Sequence, residues 1–441
     1  MSLLSNLIGP RQAFDGGLFL PDQKSIIARQ PIQTLAPDGP LRVPLAAAAN
    51  LPVELTVRVG QRVIAGEPIS RALTADALPA HAPVAGHVTE ISRTWSPFDG
   101  QVAAAVIEPD GTADAISPNP DWEDESLIIH LAERGVMCEF PRMPLHQYLQ
   151  QAVATGVTDL IVNAMETEPF VATDLRTIVE QPGRIVDATC ELADALGVLR
   201  AIIAVPFRHR RIVHRLKSEA ADRMVEIVAM ADPYPQCHPH LLVKAILQRE
   251  IPPGMSPLDE RAVVLPLAAV RAAADAVMGG LPVTHAVLTV SGDAIEQPGV
   301  YRIPVGTPIE RLVHRLGLRG PIEQAVMGGP LTGIPLGDAQ AVITRESNAL
   351  LLFLERELVT PTDCIRCGWC VDDCPVGIVP PDLMRLDVAA ACTNVELSHL
   401  KACIDCGLCT YVCPSQLPLA QAIRRARTRF ARPSEMVDTT A

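Results

Sequence analysis

Eight cysteines near the end of the chain repeat one spacing twice. The segments 364–374 and 403–413 each read C-x-x-C-x-x-C-x-x-x-C, and Pro375 and Pro414 follow them. Two-residue gaps let a tight loop wrap one corner of an iron–sulfur cube, and the fourth cysteine of such a run ligates the other cube. We therefore expect two [4Fe–4S] centres, one held by Cys364, Cys367, Cys370 and Cys413 and the other by Cys403, Cys406, Cys409 and Cys374.

Zinc sites and disulfides are the alternative uses of clustered cysteines. Zinc sites usually show two C-x-x-C pairs rather than two runs of four, and disulfides do not explain a duplicated spacing. The pattern therefore favours a protein that moves electrons. Apolar neighbours are expected to shield the two clusters from water, namely Ile365, Trp369, Ile404, Leu408 and Val412.

The composition narrows the possible partners and the compartment. The 441-residue chain has a formal net charge of −13, which argues against nucleic acid because binding to phosphate backbones depends on Lys and Arg. Its 12 cysteines fit a reducing cytoplasm better than a disulfide-stapled secreted fold. Residues 1–11 lack a signal-peptide pattern, and no apolar run approaches about 18 residues. Membrane association is therefore expected only through a partner.

Residues 41–92 predict a small β domain. An alternating apolar pattern starts at Val53, and two turn-rich halves resemble the barrel-sandwich fold of biotinyl and lipoyl carriers. Carriers need a lysine on the tip between the halves, and the tip here, residues 73–80, has none. We expect the fold without the carrier function.

From about residue 125 to 280 the pattern changes to strands that alternate with helices, which predicts a parallel sheet covered by helices. The expected strands are 159–162, 199–205, 224–230 and 262–265, and the expected helices are 174–181 and one that begins at His209. The basic run 208–211 is interpreted as a solvated face rather than a phosphate contact. Residues 283–317 return to β structure and end in a helix over 309–316.

Several motifs outside the cysteine runs carry a resemblance to a known family. They are the Phe-x-Gly-Gly and Pro-x-x-Lys elements of 14–24, Asn-Ala-Met-Glu-Thr-Glu-Pro-Phe at 163–170, Tyr-Pro-Gln at 234–236 and Gly-Gly-Pro at 328–330. With the paired cysteine runs, they make the chain resemble RnfC, the C subunit of the Rnf (or Rsx) electron-transport complex, over essentially its full length. That family is related to the flavin- and NADH-binding subunit of respiratory complex I.

The resemblance implies a multidomain α/β and β architecture. The expected domains are a barrel-sandwich domain at 1–122, a Rossmann-like α/β domain at 123–282, a soluble-ligand-binding β-grasp domain at 283–358 and a helical two-[4Fe–4S] ferredoxin-like domain at 359–441. It also implies other redox subunits of a membrane-bound complex as partners, with NADH or a ferredoxin-like protein as soluble electron donor. The protein would then lie on the inner face of the plasma membrane.

The family places a flavin phosphate on a Gly-x-Gly-Gly-Ala-x-Phe-Pro loop. The corresponding segment here, 134–141, keeps Phe140 and Pro141 but not the glycine run, and it contains the bulky Met137 and the anionic Glu139. Backbone N–H groups approach a phosphate closely only where side chains are absent, and an anionic side chain repels it. We therefore expect the flavin site to be lost or altered. The residues that would contact FMN or NADH if either binds are Phe140, Asn163, Glu166 and Glu168.

Two further features have competing interpretations. Glu166 and Glu168 line the nucleotide pocket in the family, but without the glycine loop they can instead cap the following helix, whose first turn favours negative charge. Cys237, His238 and His240 replace the family's glycines after Gln236. They could be metal ligands, but ligands so close in sequence rarely face one ion, so we interpret them as substitutions at a decayed site.

Three functions remain open. The favoured one is an Rnf-type subunit that relays electrons through two clusters between a soluble donor and membrane-bound partners. The second is an FMN-dependent NADH dehydrogenase subunit, in which the flavin splits a hydride into single electrons. The third is a flavoprotein similar to cytosolic cobalamin reductases. Whether the chain is an enzyme in its own right depends on whether FMN is retained.

Overall fold

The computed structural model describes residues 14–46, 51–118, 126–337, 340–354, 360–389 and 391–430. These residues form two compact units. The first takes its residues from 21–230 and 261–356, and the second from 14–20, 231–260 and 360–430. The segment 1–11 and the domain boundaries expected at 122/123 and 358/359 lie outside the described residues. Within the described ranges, no helix has both the length and the apolar composition needed to cross a membrane.

The regular elements are numbered in chain order. The strands are β1 Gln33–Thr34, β2 Leu41–Pro44, β3 Val53–Leu55, β4 Arg62–Val63, β5 Ser70–Ala72, β6 Gly86–Ser96, β7 Gly100–Pro109, β8 Met137–Cys138, β9 Met143–Pro144, β10 Asp159–Asn163, β11 Arg200–Pro206, β12 Val225–Met230, β13 Ala262–Pro266, β14 His285–Ser291, β15 Gly299–Pro304, β16 Ile322–Met327, β17 Ile334–Pro335 and β18 Ala349–Leu354. The α-helices are α1 Leu127–Glu133, α2 Leu145–Thr155, α3 Thr173–Glu180, α4 Pro182–Leu196, α5 Arg210–Glu219, α6 Pro239–Leu247, α7 Leu267–Gly279, α8 Ile309–Leu316, α9 Trp369–Asp372, α10 Pro380–Met384, α11 Asn394–Ala402, α12 Leu408–Tyr411 and α13 Leu419–Phe430. Short 3₁₀ turns lie at Ile27–Arg29, Pro257–Glu260 and Arg385–Asp387.

The first part of the larger unit is an antiparallel β structure. Its four-stranded sheet has the order β2-β7-β6-β4, and β3 pairs with β5 in a second, two-stranded sheet. Inward-facing apolar side chains from both sheets form one core, which includes Leu41, Val63, Ile69 and Ile107. The tip at 73–80 is packed rather than free, because Leu78 is fully buried against Met137.

A four-stranded parallel sheet follows, with the order β12-β11-β10-β13. In register, Leu160 of β10 lies opposite Ala201 on one side and Val263 on the other. The central strands β10 and β11 are almost entirely buried, as expected for strands with helices on both faces. The carboxyl end of β10 leads into 164–170, so the sheet positions this segment.

A mixed sheet with the order β1-β15-β14-β18-β16-β17 completes the larger unit. Strand β1 pairs in parallel with β15, and β14 pairs antiparallel with β15. Helix α8 contributes Leu312 and Leu316 to the core under this sheet, together with Leu288 and Leu350. Thr173, at the start of α3, donates a hydrogen bond to the backbone oxygen of Asn348, which ties the mixed sheet to the parallel-sheet part.

The smaller unit contains both cysteine runs. Helices α10, α11 and α13 form its main core through Leu383, Leu400 and Ile423. Two earlier segments of the chain pack into the same unit. Leu18 and Tyr234 exchange backbone hydrogen bonds of 3.0 and 2.7 Å, and the Gly17 N–H donates to the Asp373 carbonyl at 3.0 Å.

Candidate metal centres and nucleotide loop

The two cysteine runs fold into loops of the same local shape. Arg366 and Asp405, the residues before the second cysteine of each run, have φ of 55° and 60°. Gly368 and Gly407, directly after that cysteine, have φ of 88° and 77°. Each loop then enters a one-turn helix, α9 or α12. The repeated sequence therefore produces a repeated backbone, in which glycine provides the left-handed turn that the loop requires.

The first set of thiols joins three cysteines of the first run with the last cysteine of the second. Burial, and then the nearby thiols of Cys367, Cys413 and Cys364, raise the pKa of Cys370. Cys370 and Cys413 are both buried and share an apolar cluster with Leu419. Cys364 and Cys367, by contrast, are exposed. Cys370 thus lies near the other three thiols of this set.

The second set joins three cysteines of the second run with the last of the first. Burial raises the pKa of Cys409 to about 12, and the neighbouring thiols of Cys403 and Cys374 add to the shift. The pKa of Cys406 is also raised, mainly by burial and then by its thiol neighbours Cys403, Cys409 and Cys374. These four cysteines line one small cavity.

Each of the two sets contains four thiols, the number that an iron–sulfur cube requires. Within the described ranges, no three His, Cys, Asp or Glu side chains are arranged around one ion. A cube is held by four thiolates that surround it, each on its own iron, so its ligands need not converge on one point. Burial and mutual repulsion oppose four thiolates on their own, and bound iron offsets both effects.

Two arginines of α13 fix the loop of the second set. The Nε of Arg424 donates to both carboxylate oxygens of Asp405 at 2.9 Å, and Arg427 Nη2 donates to the same carboxylate at 2.9 Å. Arg427 also donates through Nη1 to the carbonyl of Cys403 at 2.9 Å. The left-handed Asp405 is therefore held by charge-assisted hydrogen bonds.

Residues distant in sequence support the same loops. The hydroxyl of the buried Tyr234 donates to the carbonyl oxygen of Cys406 at 2.5 Å. A Cβ on Gly16 would lie 2.9 Å from the Asp373 carbonyl carbon, so only glycine allows this approach to the backbone beside Cys374. The Phe-x-Gly-Gly and Tyr-Pro-Gln motifs thus contact the cysteine loops. These motifs are recognised in the sequence only through the family resemblance. Nothing in their local sequence indicates that they contact the cysteine loops.

The expected apolar shield is only partly correct. Leu408 is buried, but Ile365 is 67% exposed and Trp369 is 55% exposed. The prediction was wrong for these two residues because the first cysteine loop lies at the surface of the unit, whereas the second packs under α13. The first thiol set therefore has the more open surroundings.

Cys237, His238 and His240 do not form a metal-binding group within the described residues. His238 precedes helix α6, and its Nδ1 accepts a 3.3 Å hydrogen bond from the backbone N–H of His240. Burial lowers the pKa of His238 to about 3, helped by the nearby His240 and Arg427. A neutral imidazole that caps a helix explains His238 without a metal.

The segment 134–141 contains the end of a helix and the start of a short strand pair. Gly135, with φ of 71°, ends helix α1 in the left-handed conformation typical of helix C-termini. The N–H groups of Gly135 and Val136 donate to carbonyls of the same helix at 3.1 and 3.2 Å. Met137 and Cys138 then form β8, which pairs with β9. The retained glycine serves to end a helix, and these N–H groups are not available to a phosphate.

Glu139 places a carboxylate inside this region. Its Oε2 is shielded from solvent and has no hydrogen-bond partner in the described part of the chain. Burial raises the pKa of Glu139 to about 7, while the nearby Arg271 opposes the shift and Glu346 adds to it. Burial also raises the pKa of Asp174, and the carboxylates of Glu166 and Glu139 raise it further. A phosphate would meet several buried acidic groups here.

Glu166 serves as the N-terminal cap of α3. Its carboxylate accepts the N–H of Asp174 at 2.8 Å and that of Leu175 at 3.3 Å, two of the donors that a helix leaves free at its start. Asn163, at the end of β10, uses its Oδ1 to accept the N–H of Met165 at 3.1 Å. Both side chains are therefore engaged with the backbone that follows β10.

Glu168 points to a different part of the unit. It accepts hydrogen bonds from the Leu331 N–H at 3.1 Å and the Thr332 hydroxyl at 2.6 Å. A Cβ on Gly329 would lie 2.3 Å from the Glu168 carboxyl carbon, so the Gly-Gly-Pro turn needs its glycine for this contact. Phe140 is 39% exposed. Glu168, one of the four residues predicted to contact a nucleotide, is thus engaged with the Gly-Gly-Pro turn.

Comparisons with known proteins identify related domains in three parts of the chain. Family models match an RnfC barrel sandwich hybrid domain at residues 12–112, a Nuo51 FMN-binding domain at 141–274 and a 4Fe-4S dicluster domain at 363–418. The match to the FMN-binding domain begins at Pro141, the last residue of the segment 134–141.

Curated relatives include the C subunit of the ion-translocating oxidoreductase complex of Vibrio cholerae serotype O1. It is 30% identical over 84% of this chain and 49% of its own length. The corresponding protein of Salmonella enteritidis is 28% identical over 95% of this chain and 61% of its own length. The chain thus spans about half to three-fifths of these relatives. A solved NAD+-reducing [NiFe]-hydrogenase structure has a TM-score of 0.49 and 18% identity, and the alignment covers 71% of this chain and 62% of the hydrogenase chain.

Proposed function

Because the chain is a homologue of RnfC, the C subunit of the ion-translocating oxidoreductase complex, we propose that it relays electrons through two [4Fe–4S] clusters. The electrons would pass from a soluble donor to a membrane-associated redox complex. The observation that carries the proposal is the pairing of the thiols in two crossed sets, each of which draws its fourth member from the other run.

In this proposal each set holds one cluster. The first cluster is ligated by Cys364, Cys367, Cys370 and Cys413, and the second by Cys403, Cys406, Cys409 and Cys374. The clusters supply one-electron redox chemistry. The polypeptide holds the thiolates, buries the second set beneath α13 and donates hydrogen bonds to the carbonyls of its loop. Cys409 is near Cys370 as well as its own set, which brings the two sets next to each other.

The proposal also holds that the flavin phosphate site is lost while the surrounding domain keeps its fold. Support comes from Glu139, whose Oε2 is shielded from solvent inside the segment that corresponds to the family's phosphate loop, and from Met137, which packs on Leu78. Glu139 and Asp174 offer no positive charge to a phosphate, and a phosphate dianion beside them would be repelled whenever either is ionised.

The match to an FMN-binding domain favours a second candidate, a flavoenzyme that oxidises NADH and passes electrons to the clusters. For that function FMN would have to bind without the glycine loop, through Asn163, Glu166, Glu168 and Phe140. Three of these side chains are already engaged by the protein itself or aimed at another turn. We therefore favour the relay.

The architecture supports a four-domain description. The proposed domains are the barrel-sandwich domain at 1–122, a Rossmann-like domain at 123–282, a soluble-ligand-binding β-grasp domain at 283–358 and the ferredoxin-like domain at 359–441. The parallel β12-β11-β10-β13 sheet supports the second, and the mixed sheet around β14 and β18 supports the third. As in a peripheral subunit, association with the inner face of the plasma membrane would come through partner subunits.

The proposal is tested by comparing two reductants under anaerobic conditions. Dithionite should bleach the visible absorbance of the purified protein and give paramagnetic signals from two interacting clusters. NADH should do neither, with or without added FMN. Reduction by NADH in the presence of bound flavin would replace the relay by the flavoenzyme. A protein in which dithionite reduces no more than one cluster would contradict the two-cluster assignment.

A further inference from the structure

A cavity of about 470 Å³ lies within the larger unit, away from the cysteine runs. Its walls come from the barrel-sandwich part through Gly66 and Ile116, from helices α4 and α7, and from strands β14 and β15. Its lining includes no residue of the altered loop 134–141 and none of Asn163, Glu166 and Glu168. The volume falls in the range of small-molecule sites.

The charged groups that line this cavity are mainly cationic. Arg184 and Arg271 share one carboxylate, that of Asp275, at 3.1 and 3.3 Å. The other acidic residue of the lining, Glu180, is already engaged by Arg176 at 2.5 Å and by the N–H of Ile32 at 2.8 Å. Asp275 is therefore the lining carboxylate that is left to balance the positive charges of Arg184 and Arg271.

Arg302 adds a third guanidinium to the lining. It extends from β15 into the cavity and, within the described residues, makes no ion pair or side-chain hydrogen bond. Burial lowers the pKa of Arg302, an effect that Asp275 opposes and Arg271 increases. Among the described residues of the lining, three arginines against Asp275 leave a surplus of about two positive charges. Arg271 and Arg302 are both partly buried, so an anion that binds in the cavity would offset the cost of their desolvation.

The remaining titratable group of the lining, His285, is neutral. Burial, with help from Arg302 and Arg271, lowers the pKa of His285 to about 3, and its Nδ1 lies 3.0 Å from the hydroxyl of Thr284. The other walls include apolar side chains such as Ile116, Pro282 and Val287. The cavity therefore combines two uncompensated positive charges with apolar surface.

We propose that this cavity binds a small organic phosphate monoester, with the phosphate on Arg302 and Arg184 and the organic body against the apolar wall. A phosphate monoester carries a charge of about −1.5 to −2 at neutral pH, which matches the surplus positive charge of the cavity. A single carboxylate would leave part of that positive charge unbalanced. Arginine binds phosphate through two parallel hydrogen bonds, so the planar guanidinium of Arg302 is suited to this ligand.

Adenosine 5′-monophosphate is a suitable probe, with adenosine as the uncharged control. In calorimetric titration and thermal unfolding of the full chain, the monophosphate should bind and raise the Tm, and adenosine should not. Arg302→Met should weaken binding about tenfold or more, as expected when charge-assisted hydrogen bonds are removed. Arg319→Gln changes an exposed arginine of the same region and should bind like the wild type.

The unfolding temperature of the variants without ligand provides an independent test. Because Arg302 is a partly buried cation with no ion pair among the described residues, Arg302→Met should unfold at the same temperature as the wild type or higher. Arg302→Lys, which keeps the charge, should retain part of the binding even if the Met variant folds poorly. Equal binding by wild type and Arg302→Met, or no binding of the monophosphate by the wild type, would overturn the proposal. Neither result depends on whether the clusters or a flavin are present.

Discussion

Lys24 contacts Glu166 at two points, although 142 residues separate them in sequence. Its Nζ donates to the Glu166 backbone oxygen at 2.7 Å and lies 3.8 Å from the carboxylate oxygen Oε2. Both side chains are nearly buried, with 4% and 9% exposure. The Pro-x-x-Lys and Asn-x-x-Glu motifs are therefore two halves of one structural element. Lys24 balances the charge of a carboxylate that caps α3.

This relationship predicts that Glu166 supports stability. Glu166→Ala should lower the free energy of unfolding by about 3 kcal/mol, because Lys24 would remain buried without its counter-ion and α3 would lose its cap. Glu166→Gln keeps an acceptor for the helix and should cost less. Glu226→Ala removes an exposed ion pair with Arg200 and should cost about 0–1 kcal/mol. Chemical denaturation of all three variants checks the order, and equal stabilities for Glu166→Ala and Glu226→Ala would contradict it.

Glu139 should make stability depend on pH. Burial raises its pKa from 4.5 to about 7, so the folded protein holds this proton more tightly than the unfolded chain does. The resulting stabilisation is fully present below pH 4.5 and is lost as the pH rises to about 7. The loss amounts to about 3 kcal/mol.

Glu139→Gln removes that titration. Its unfolding free energy should fall less steeply between pH 4.5 and 7 than that of the wild type, and the variant should be the more stable protein at pH 8. Asp174, whose pKa is also raised by burial, would account for a remaining slope in both proteins. Denaturation curves across this pH range measure the difference. Parallel curves for the two proteins would show that Glu139 is not buried as a protonated acid.

The cluster assignment predicts the effect of removing one ligand. Cys367→Ala should reduce the iron content from about eight to about four atoms per chain or fewer, since the second cluster shares the same small unit. Cys190→Ala is the matched control, because Cys190 lies on α4 in the larger unit. Iron and acid-labile sulfide assays compare the two variants. Full iron in Cys367→Ala, or equal loss in both variants, would refute the assignment.

Tyr234 should stabilise the loop of the second cluster. Tyr234→Phe leaves the Cys406 carbonyl without its donor, so we expect a loss of about 1 kcal/mol and faster release of iron to a chelator. Tyr411→Phe removes a hydroxyl from a residue that is 55% exposed, and it should behave like the wild type. Both variants are compared by the rate at which a chelator removes their iron. Identical rates would show that the Tyr234 hydrogen bond does not support the loop.

Local patterns predicted much of the fold. The helix expected over 309–316 is α8 Ile309–Leu316, and that expected over 174–181 is α3 Thr173–Glu180, because apolar periodicity and the polar residues around it mark both. The four strands expected in the parallel sheet are β10, β11, β12 and β13, within one residue at each end. Short apolar runs between helices identify buried parallel strands.

Long-range contacts were not predictable in the same way. The burial of Leu78 against Met137 and the contact of Lys24 with Glu166 join residues whose sequence neighbourhoods carry no mark of the contact. The two arginines that hold Asp405 lie on a helix whose periodicity indicates only its apolar face. The exposure of Ile365 and Trp369 depends on which loop packs under α13, and two loops with the same spacing give no indication of that.

The most direct test of the account is the cofactor content of the full chain purified without oxygen. Iron and acid-labile sulfide should each be about eight per chain, as two cubes require, and flavin released by denaturation should be absent. That result would establish a cluster relay whose nucleotide loop no longer holds a phosphate. One FMN per chain would contradict the interpretation of Met137 and Glu139, and about four irons per chain would contradict the crossed pair of clusters.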